Sequence, residues 1–257
     1  MQTQESAALD IKAVLLVGGL GTRLRSVVPF APKVLASVGK RSFLELLVDQ
    51  LRSQGICRLV MCTGYLADQI ENEFGDGQAA DLTIEYSREE QPLGTAGAVK
   101  MAERYLEGIP EFLVMNGDSF LEIDFRELME FHRRQGAMAT LAVVRAENAS
   151  RYGTVEIDTS GRIRGFAEKT GSDMPGMVNG GVYVFSRAVF EHIARLPASL
   201  ERDVFPRLLD HGLYAQEQHG MFIDIGTPAD YARAQQLCES LSKAALRGRA
   251  PGFGAGK

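Results

Sequence analysis

Two basic side chains follow a glycine-rich turn near the start of the chain. Gly18, Gly19 and Gly21 come after an apolar run, Arg23 follows them, and Lys33 stands a little further on in Ala-Pro-Lys. Glycine lets a ligand approach the backbone closely, so the N–H groups of such a turn can bind phosphate oxygens. The arginine adds a planar fork of donors, and the lysine adds a compact charge. The pattern predicts a polyphosphate site, and we expect its ligand to be a nucleotide.

The turn departs from two widespread phosphate-binding motifs. The dinucleotide fingerprint places a third glycine three residues after the second, where this chain has Leu24. The phosphate loop of NTPases closes on Gly-Lys-Ser or Gly-Lys-Thr, and neither tripeptide occurs in the sequence. A tight turn with a purely structural role is the alternative for the bare glycine pattern.

Two aspartates end apolar runs and are candidates for metal binding. Asp118 follows the apolar run Phe112–Met115 in Asn-Gly-Asp, and Asp224 lies between Ile223 and Ile225. A carboxylate in apolar surroundings is costly to bury unless a cation compensates its charge. Magnesium prefers such hard oxygen ligands. A surface or turn aspartate is the alternative for either residue alone, but the pair predicts a Mg²⁺ site.

Three further segments carry polar groups suited to a base or a sugar. A second glycine-containing turn, Gln91-Pro92-Leu93-Gly94-Thr95, leads into a helix and is predicted to meet the edge of a base, with Glu90 or Gln91 beside it. Lys169 is a candidate for a second phosphate, and Glu168 and Asn179 offer groups for sugar hydroxyls. The alternatives are an ordinary loop capped at Thr95, a surface ion pair and a β-bulge.

Bulk composition excludes several classes of function. The chain has 257 residues, 45% of them hydrophobic and 24% charged, with a net charge of -5. An acidic chain argues against a general binder of nucleic acid or of membrane surfaces. The three cysteines form no Cys-x-x-Cys pair, and no apolar run approaches the ~18–20 residues of a membrane span. We therefore expect reduced thiols, no zinc, no signal peptide and a cytoplasmic location.

The first half of the chain alternates short apolar runs with amphipathic stretches. The predicted strands are Ala13–Val17, Leu59–Thr63, Thr83–Tyr86 and Phe112–Met115, and the predicted helices are Phe43–Gln54, Leu66–Phe74 and Ala96–Leu106. This alternation predicts a parallel sheet with helices on both faces. Ligands of such sheets bind at the carboxyl ends of the strands, where the first glycine turn and Asn-Gly-Asp are expected to lie.

The second half of the chain is β-rich. It follows a helix predicted at Phe125–Gln135 with Asp124 as its N-cap. The predicted strands are Met138–Val144, Thr154–Asp158, Ile163–Glu168 and Met177–Phe185. A last helix is predicted to begin at Thr227-Pro228 and to run to about Ala245, and the tail Arg247–Lys257 is predicted to be disordered.

Taken in order, these segments resemble the sugar-1-phosphate nucleotidyltransferases, also called nucleotide-sugar pyrophosphorylases. The shared pattern is Gly-Gly-x-Gly-Thr-Arg-Leu, Pro-Lys, Pro-Leu-Gly-Thr-Ala-Gly, Gly-Asp, Glu-Lys, Asn-Gly-Gly and Asp-Ile-Gly-Thr-Pro, and the chain has every element from Val14 to Tyr231. The resemblance implies an α/β three-layer sandwich with a mainly parallel, Rossmann-like nucleotide-binding sheet and an inserted β-rich sugar-binding region. It implies one domain over residues 10–246, with a nucleotide-binding half at about 10–135 and a sugar-binding half at about 136–246.

The resemblance also implies a reaction and a set of site residues. An NTP and a sugar 1-phosphate would give an NDP-sugar and pyrophosphate for surface polysaccharide synthesis, in a capsule or lipopolysaccharide. The implied catalytic residues are Arg23 and Lys33, and the implied Mg²⁺ ligands are Asp118 and Asp224. The implied nucleotide-binding residues are Val17, Gly18, Gly19, Gly21, Thr22, Arg23, Glu90, Gln91, Pro92, Gly94, Thr95, Asn116 and Gly117. The implied sugar-phosphate-binding residues are Gly153, Glu168, Lys169, Asn179 and Gly180.

Within the family, the chain is most similar to the guanylyltransferases that act on D-glycero-α-D-manno-heptose 1-phosphate. The similarity lies in Gly-Thr-Arg-Leu-Arg-Ser-Val-Val, Arg-Tyr-Gly-Thr-Val and the short length. Two segments depart from the wider family: Arg25-Ser26-Val27-Val28 replaces Arg-Pro-Leu-Thr, and Pro32-Lys33-Val34-Leu35 replaces Pro-Lys-Pro-Met. GTP and the heptose phosphate are therefore the expected substrates, and the family's usual homodimer is a further expectation.

Two alternatives stay open. The chain could catalyse the same chemistry on mannose 1-phosphate with GTP, or on glucose 1-phosphate with UTP or dTTP. It could also be a non-catalytic subunit that binds an NDP-sugar and regulates a partner.

Overall fold

The computed structural model describes residues 11–147, 149, 153–167 and 174–247. The predicted site residues Glu168 and Lys169, and nearly all of the predicted tail, lie outside this part of the chain.

Thirteen strands and seven α-helices are described. The strands are β1 Lys12–Leu16, β2 Ser37–Val38, β3 Arg41–Ser42, β4 Arg58–Thr63, β5 Thr83–Arg88, β6 Glu111–Asn116, β7 Ser119–Leu121, β8 Ala139–Ala146, β9 Thr154–Ile157, β10 Ile163–Ala167, β11 Gly176–Ser186, β12 Leu213–Gln218 and β13 Phe222–Asp224. The α-helices are α1 Phe43–Ser53, α2 Ala67–Phe74, α3 Gly94–Met101, α4 Phe125–Gln135, α5 Phe205–Leu208, α6 Pro228–Gln236 and α7 Cys238–Ala245. Short 3₁₀ turns occur at Thr22–Leu24, Lys33–Leu35, Gln78–Ala80, Ala102–Leu106 and Arg187–His192, and a π-helical turn occurs at Leu200–Val204.

Nine of the strands form one sheet in which β1 is central. On one side, β6, β1, β4 and β5 pair in parallel, as the alternation of strands and helices predicts. On the other side, β11 pairs antiparallel with β6, β8 and β9, and β12 extends the sheet in parallel with β8. The strands of the β-rich second half therefore continue the sheet of the first half.

Two apolar cores lie on opposite faces of this sheet. Alternate residues of β1 divide between them: Ala13 and Leu15 join one core, and Val14 joins the other. The first core is covered by α1 and α7, and the second by α3 and the segment from Val189 to Leu208. Helices thus cover both faces, which confirms the layered α/β prediction.

Local signals account for the two long helices that flank the site. Ser42 and Glu45 form a reciprocal capping box at the start of α1, and the Asp124 carboxylate accepts from two backbone N–H groups at the start of α4. Both helices begin at the residues that the sequence indicates.

Two predicted helices differ most clearly from the structure. Helix α3 begins at Gly94 and ends at Met101, where a 3₁₀ turn replaces its last turn. Thr95 does not cap this helix, because its N-cap position is Leu93. The final predicted helix is divided at Leu237 into α6 and α7, which lets α7 pack against α1.

Across the described residues, no helix combines the length and apolar character needed to cross a membrane.

Candidate active site

The first glycine turn lies at the carboxyl end of β1, beside the ends of β4 and β6. Within the described part of the chain, the backbone N–H groups of Gly18 to Gly21 donate to no protein acceptor. Gly21 has a φ of 58°, and a Cβ there would lie 2.9 Å from Lys33 Cβ. A residue with a side chain is therefore disfavoured at this position. The turn presents free donors at the edge where the sequence predicts phosphate binding.

Lys33 and Asp118 form an ion pair at this edge. Lys33 Nζ contacts Asp118 Oδ2, and the two side chains are 13% and 28% exposed. The structure thus brings a predicted catalytic cation and a predicted metal ligand into direct contact. Lys33 also lines the cavity described below, so its charge can act on a bound ligand and on the carboxylate together.

Asp118 and Asp224 approach each other through a two-stranded ribbon. Strand β13 pairs antiparallel with β7, with Asp224 opposite Ser119, and the N–H of Ile225 donates to the carbonyl of Asp118 at 2.9 Å. Burial raises the pKa of Asp224, and the neighbouring Asp118 carboxylate raises it further. A hydrogen bond from the N–H of Gly226 at 2.5 Å and the charge of Lys33 act in the opposite direction.

This carboxylate pair fits a divalent cation. A buried carboxylate whose pKa is raised by another carboxylate gains most from a positive ion held between the two. Among the described residues, no group of three or more His, Cys, Asp or Glu side chains forms a metal cage. Magnesium commonly binds through one or two carboxylates together with substrate phosphates, which is the donor set that Asp118 and Asp224 offer.

Arg23 is exposed at the rim of the same site. A Cβ placed on Gly226 would lie 2.6 Å from Asp224 Oδ1 and 3.5 Å from Arg23 Nη2, so both side chains reach this glycine. Nearby, the guanidinium of Arg25 lies 5.0 Å from the centre of the Tyr65 ring. Arg23 and Asp224 therefore both lie next to Gly226.

A cavity of about 260 Å³ opens from the ion pair toward α3. Its lining includes eight of the predicted residues: Gly18, Gly19, Lys33, Pro92, Gly94, Thr95, Asn116 and Asp118. The other predicted nucleotide-binding residues lie outside the lining: Val17, Gly21, Thr22, Arg23, Glu90, Gln91 and Gly117. Residues that the sequence reasoning did not single out complete the wall: Leu16, Leu20, Val34, Cys62, Glu89 and Ala98.

The cavity is lined by Glu89, and not by Glu90 or Gln91, which the sequence predicts beside the base. Glu89 is partly buried, whereas Glu90 and Gln91 are exposed. Burial raises the pKa of Glu89, and the N–H of Leu93, which donates to Glu89 Oε2 at 2.9 Å, lowers it. Strand β5 ends at Arg88, two residues later than predicted, so Glu89 is the first residue beyond the strand end.

Two polar atoms at the site are buried without a partner among the described residues. They are Asn116 Oδ1 and Ser119 Oγ, and Asn116 lines the cavity. Buried polar atoms in proteins are nearly always hydrogen-bonded, so the Asn116 side chain, which lines the cavity, is suited to a ligand. Ser119 was not singled out from the sequence, although it directly follows the metal-candidate aspartate.

Three of the predicted sugar-phosphate-binding residues, Gly153, Asn179 and Gly180, lie in the described part of the chain. Both ends of the Asn179 amide are occupied: Nδ2 donates to Tyr183 Oη at 2.8 Å, and Oδ1 accepts from the N–H of Gly181 at 2.9 Å. Gly180 packs on β7, since a Cβ there would lie 2.8 Å from Leu121 Cδ2. Gly153 is exposed. Contact of these residues with a sugar stays a prediction.

A second cavity, of about 600 Å³, begins at Phe222, two residues before Asp224. The ends of β8 and β12 and the side chains of Arg145, His219 and Arg233 line it. It contains none of the residues singled out from the sequence.

Comparison with protein families identifies one match. The model of the family described as "Nucleotidyl transferase" matches residues 12–240.

Comparisons with individual proteins agree with this match. The chain is 36% identical over 225 residues to mannose-1-phosphate guanyltransferase beta-A of Xenopus laevis, covering 86% of this chain and 62% of the relative. It is 38% identical over 231 residues to mannose-1-phosphate guanylyltransferase of Mycobacterium tuberculosis, covering 88% and 64%. The chain therefore spans about three fifths of the length of these curated relatives.

Among solved structures, HddC from Yersinia pseudotuberculosis is similar over nearly its whole length. It superposes with a TM-score of 0.79 at 32% identity, covering 90% of this chain and 99% of that one. HddC complexed with GMP-PN superposes with a TM-score of 0.78 at 31% identity, covering 88% and 98%.

Proposed function

The chain belongs to the nucleotidyl transferase family, and on that premise we propose that it is a sugar-1-phosphate guanylyltransferase. It transfers the guanylyl group of GTP to a sugar 1-phosphate and releases pyrophosphate. The product is a GDP-sugar, a precursor suited to surface polysaccharide synthesis.

One observation carries the proposal: basic and acidic side chains lie close together at the mouth of a cavity that polar residues line. Lys33 and Asp118 are in contact, Asp224 is joined to Asp118 by the β7–β13 ribbon, and Arg23 reaches the adjacent Gly226. A transferase acting on two anionic substrates needs local positive charge. In a chain of net charge -5, that charge would come from Lys33, Arg23 and a cation held by the two carboxylates.

The reaction is an in-line displacement at the α-phosphorus. A phosphate oxygen of the sugar 1-phosphate forms the new P–O bond, the bond to the bridging oxygen breaks, and its electron pair leaves on pyrophosphate. The nucleophile is already ionised at neutral pH, so no general base is needed. Catalysis therefore depends on alignment and on neutralisation of charge.

Different groups of the chain bind and neutralise different phosphates. The free N–H groups of the Gly18–Gly21 turn bind phosphate oxygens, and Arg23 neutralises the departing β- and γ-phosphates. Lys33, partly buried between the cavity and Asp118, holds the α-phosphate. Asp118 and Asp224 would hold a divalent cation, which would supply positive charge to neutralise the phosphates of the substrates. Lys169 is the proposed contact to the phosphate of the sugar.

Glu89 supports guanine as the base. Guanine presents two adjacent donors, N1–H and the 2-amino group, on its Watson–Crick edge, and a carboxylate offers two acceptors to such a pair. Glu89 lines the cavity, on the side that Pro92, Gly94 and Thr95 complete. GMP-PN, a guanine nucleotide, is the ligand of the HddC complex that superposes on this chain.

Two acceptors are supported by different observations. D-glycero-α-D-manno-heptose 1-phosphate is favoured by the sequence segments named above and by the similarity to HddC over nearly its full length. Mannose 1-phosphate is favoured by relatives that are 36–38% identical. We propose the heptose phosphate as the acceptor and mannose 1-phosphate as the second candidate.

A substrate matrix tests the proposal. Pyrophosphate release is measured for GTP, ATP, UTP and dTTP, each against the heptose 1-phosphate, mannose 1-phosphate and glucose 1-phosphate. We expect release with GTP and the heptose phosphate, and less with mannose 1-phosphate. Release only with UTP or dTTP would reject guanine. Binding of a GDP-sugar without any release would support a non-catalytic regulatory subunit.

We further infer a single catalytic unit over residues 10–246 that works in the cytoplasm as a homodimer. Strands from both halves contribute to one sheet, and the three cysteines are free thiols, as expected in a reducing compartment. Light scattering of the purified chain tests the dimer.

A further inference from the structure

The turn Pro92–Thr95, here called the base turn, is bound to a segment far along the chain. The N–H of Ala198 donates to the carbonyl of Leu93 at 2.8 Å, and the carbonyl of Ala198 accepts from the N–H of Ala96 at 3.0 Å. We call Ala198–Glu201 the clamp segment. Its backbone thus holds the base turn on both sides of Gly94.

Thr95 completes this contact with its side chain. Its Oγ1 accepts from the N–H of Leu200 at 2.8 Å and lies 3.2 Å from Glu201 Oε2, to which it donates. A hydroxyl can donate one hydrogen bond and accept two, and this arrangement uses the donor and one acceptor site. Glu201 Oε2 also accepts from Ser199 Oγ at 2.9 Å, so the carboxylate is fixed within the clamp segment.

The fit between the two segments is close. Gly94 has a φ of 76°, and a Cβ there would lie 2.4 Å from the carbonyl oxygen of Ala198. Real side chains do not tolerate such a separation from backbone, so only glycine lets the base turn lie against the clamp segment.

The contact between the base turn and the clamp segment extends to Glu89, the acidic residue of the cavity. The N–H of Leu93 donates to Glu89 Oε2 at 2.9 Å, while the carbonyl of the same residue accepts from Ala198. A shift of the clamp segment therefore displaces Leu93 and releases Glu89 from its orientation.

We propose that Thr95 and the clamp segment are positioning residues for guanine selection. They fix the base turn and, through Leu93, the carboxylate of Glu89. Thr95 thus acts on the nucleotide chiefly through the protein backbone. The inference rests on the proposed guanylyltransferase function.

The test compares Thr95→Val with Thr95→Ser. Valine keeps the shape but leaves the N–H of Leu200 without its acceptor, whereas serine keeps the hydroxyl. Steady-state rates are measured with GTP and with ITP, whose base lacks the 2-amino group, at a saturating concentration of the sugar 1-phosphate that is active in the matrix. For Thr95→Val we expect KM for GTP to rise about tenfold, as for loss of one hydrogen bond that leaves a buried donor unpaired.

Two further measurements distinguish a positioning role of Thr95 from a general loss of structure. In Thr95→Val, we expect kcat at saturating GTP to stay within about threefold of wild type, because the lost hydrogen bond affects binding and not the chemical step. We expect the preference for GTP over ITP, measured in kcat/KM, to fall about fivefold. Thr95→Ser restores both values. Glu107→Gln, at an exposed glutamate outside these contacts, is the matched control.

Unchanged base preference in Thr95→Val, or a fall in kcat at unchanged KM, would overturn the proposal. If that variant does not fold, Glu201→Ala, at an exposed position, replaces it. An unchanged ratio of kcat/KM for GTP to kcat/KM for ITP in Glu201→Ala would also overturn the proposal. If wild type releases no pyrophosphate with any NTP, the proposed function fails. Calorimetric binding of GTP and ITP to the same variants then still tests the clamp.

Discussion

Single side chains at this site derive their chemistry from their immediate neighbours. Lys33 is 13% exposed and contacts Asp118, so its charge is fixed at the cavity mouth. Arg23 is exposed, and its position beside Gly226 leaves it free to follow a leaving group. The two cations therefore suit the two tasks proposed for them, Lys33 to hold the reacting phosphate and Arg23 to neutralise the departing ones.

Replacing Lys33 should impair chemistry far more than folding. Lys33→Met keeps the apolar stem and removes the charge. We expect the rate of pyrophosphate release to fall by about 10²–10³, the usual effect of losing one electrostatic contact to a transition state. Lys40→Met, at an exposed lysine, is the control and should retain the wild-type rate. Equal rates in the two variants would contradict the role given to Lys33.

Replacing Glu89 should change the preferred base. Glu89→Gln substitutes one acceptor by a donor, so guanine loses one of its two partners. We expect the preference for GTP over UTP to fall by roughly 10–100-fold in kcat/KM, as for loss of a bidentate contact to a base. Glu90→Gln, at the exposed neighbour, should leave the preference intact. If Glu90→Gln lowers the preference for GTP and Glu89→Gln does not, Glu90 is the residue that recognises the base.

The sequence predicts best those site residues that follow a strong local signal. Lys33 contacts Asp118, and the β7–β13 pairing brings Asp224 close to Asp118. The two aspartates follow apolar runs that end in strands, and Lys33 follows the glycine-rich turn and begins a 3₁₀ turn. Glu89 was missed because the polar residues that end β5 conceal where the strand stops. Ser119 was missed because its burial depends on β11, which comes much later in the chain.

At the scale of elements, strands and helices with strong local signals were predicted and short paired ones were not. Helix α4 has an aspartate N-cap and a glycine at its C-cap, and its predicted bounds agree with the structure. Strands β7 and β13 have three residues each and exist because they pair with each other. Pairing of that kind leaves no periodic pattern in the sequence.

The contact between α4 and β8 should make stability depend on pH. His132 is 1% exposed, and its Nδ1 lies 2.9 Å from Thr140 Oγ1. Burial lowers the pKa of His132 to about 4. Between about pH 6.5 and pH 4, the unfolded chain binds a proton that the folded chain does not, so the free energy of unfolding falls as the pH falls, by up to about 3 kcal/mol.

Urea unfolding at pH 7 and at pH 4.5 measures this dependence. His132→Gln should be less stable at pH 7 but should lose less stability on acidification than wild type does. His219→Gln, at an exposed histidine, is the control. If all three proteins lose the same stability between the two pH values, His132 is not the source.

At the scale of the whole molecule, the charged groups of the site lie apart from the apolar cores, although Val34, Cys62 and Ala98 belong both to a core and to the cavity wall. The two apolar clusters lie on the faces of the sheet, whereas the charged groups are gathered at the edge formed by its strand ends. Folding therefore depends on apolar burial, and the charges at the edge remain available for substrates.

Removal of divalent metal should abolish activity without unfolding the chain. We expect EDTA to eliminate pyrophosphate release and added Mg²⁺ to restore it, because Asp118 and Asp224 otherwise repel the phosphates. The thermal unfolding midpoint measured without nucleotide should shift little, since Lys33 already offsets the charge of Asp118. A large fall in the midpoint, or activity that persists in EDTA, would contradict this arrangement.

Strand β6 is parallel to β1 on one side and antiparallel to β11 on the other. The proposed donor-binding surface and the proposed acceptor-binding surface therefore belong to one hydrogen-bonded sheet, and they meet at β6. A motion that tilts this sheet as a whole would move both proposed substrates together and leave the distance between the reacting atoms unchanged.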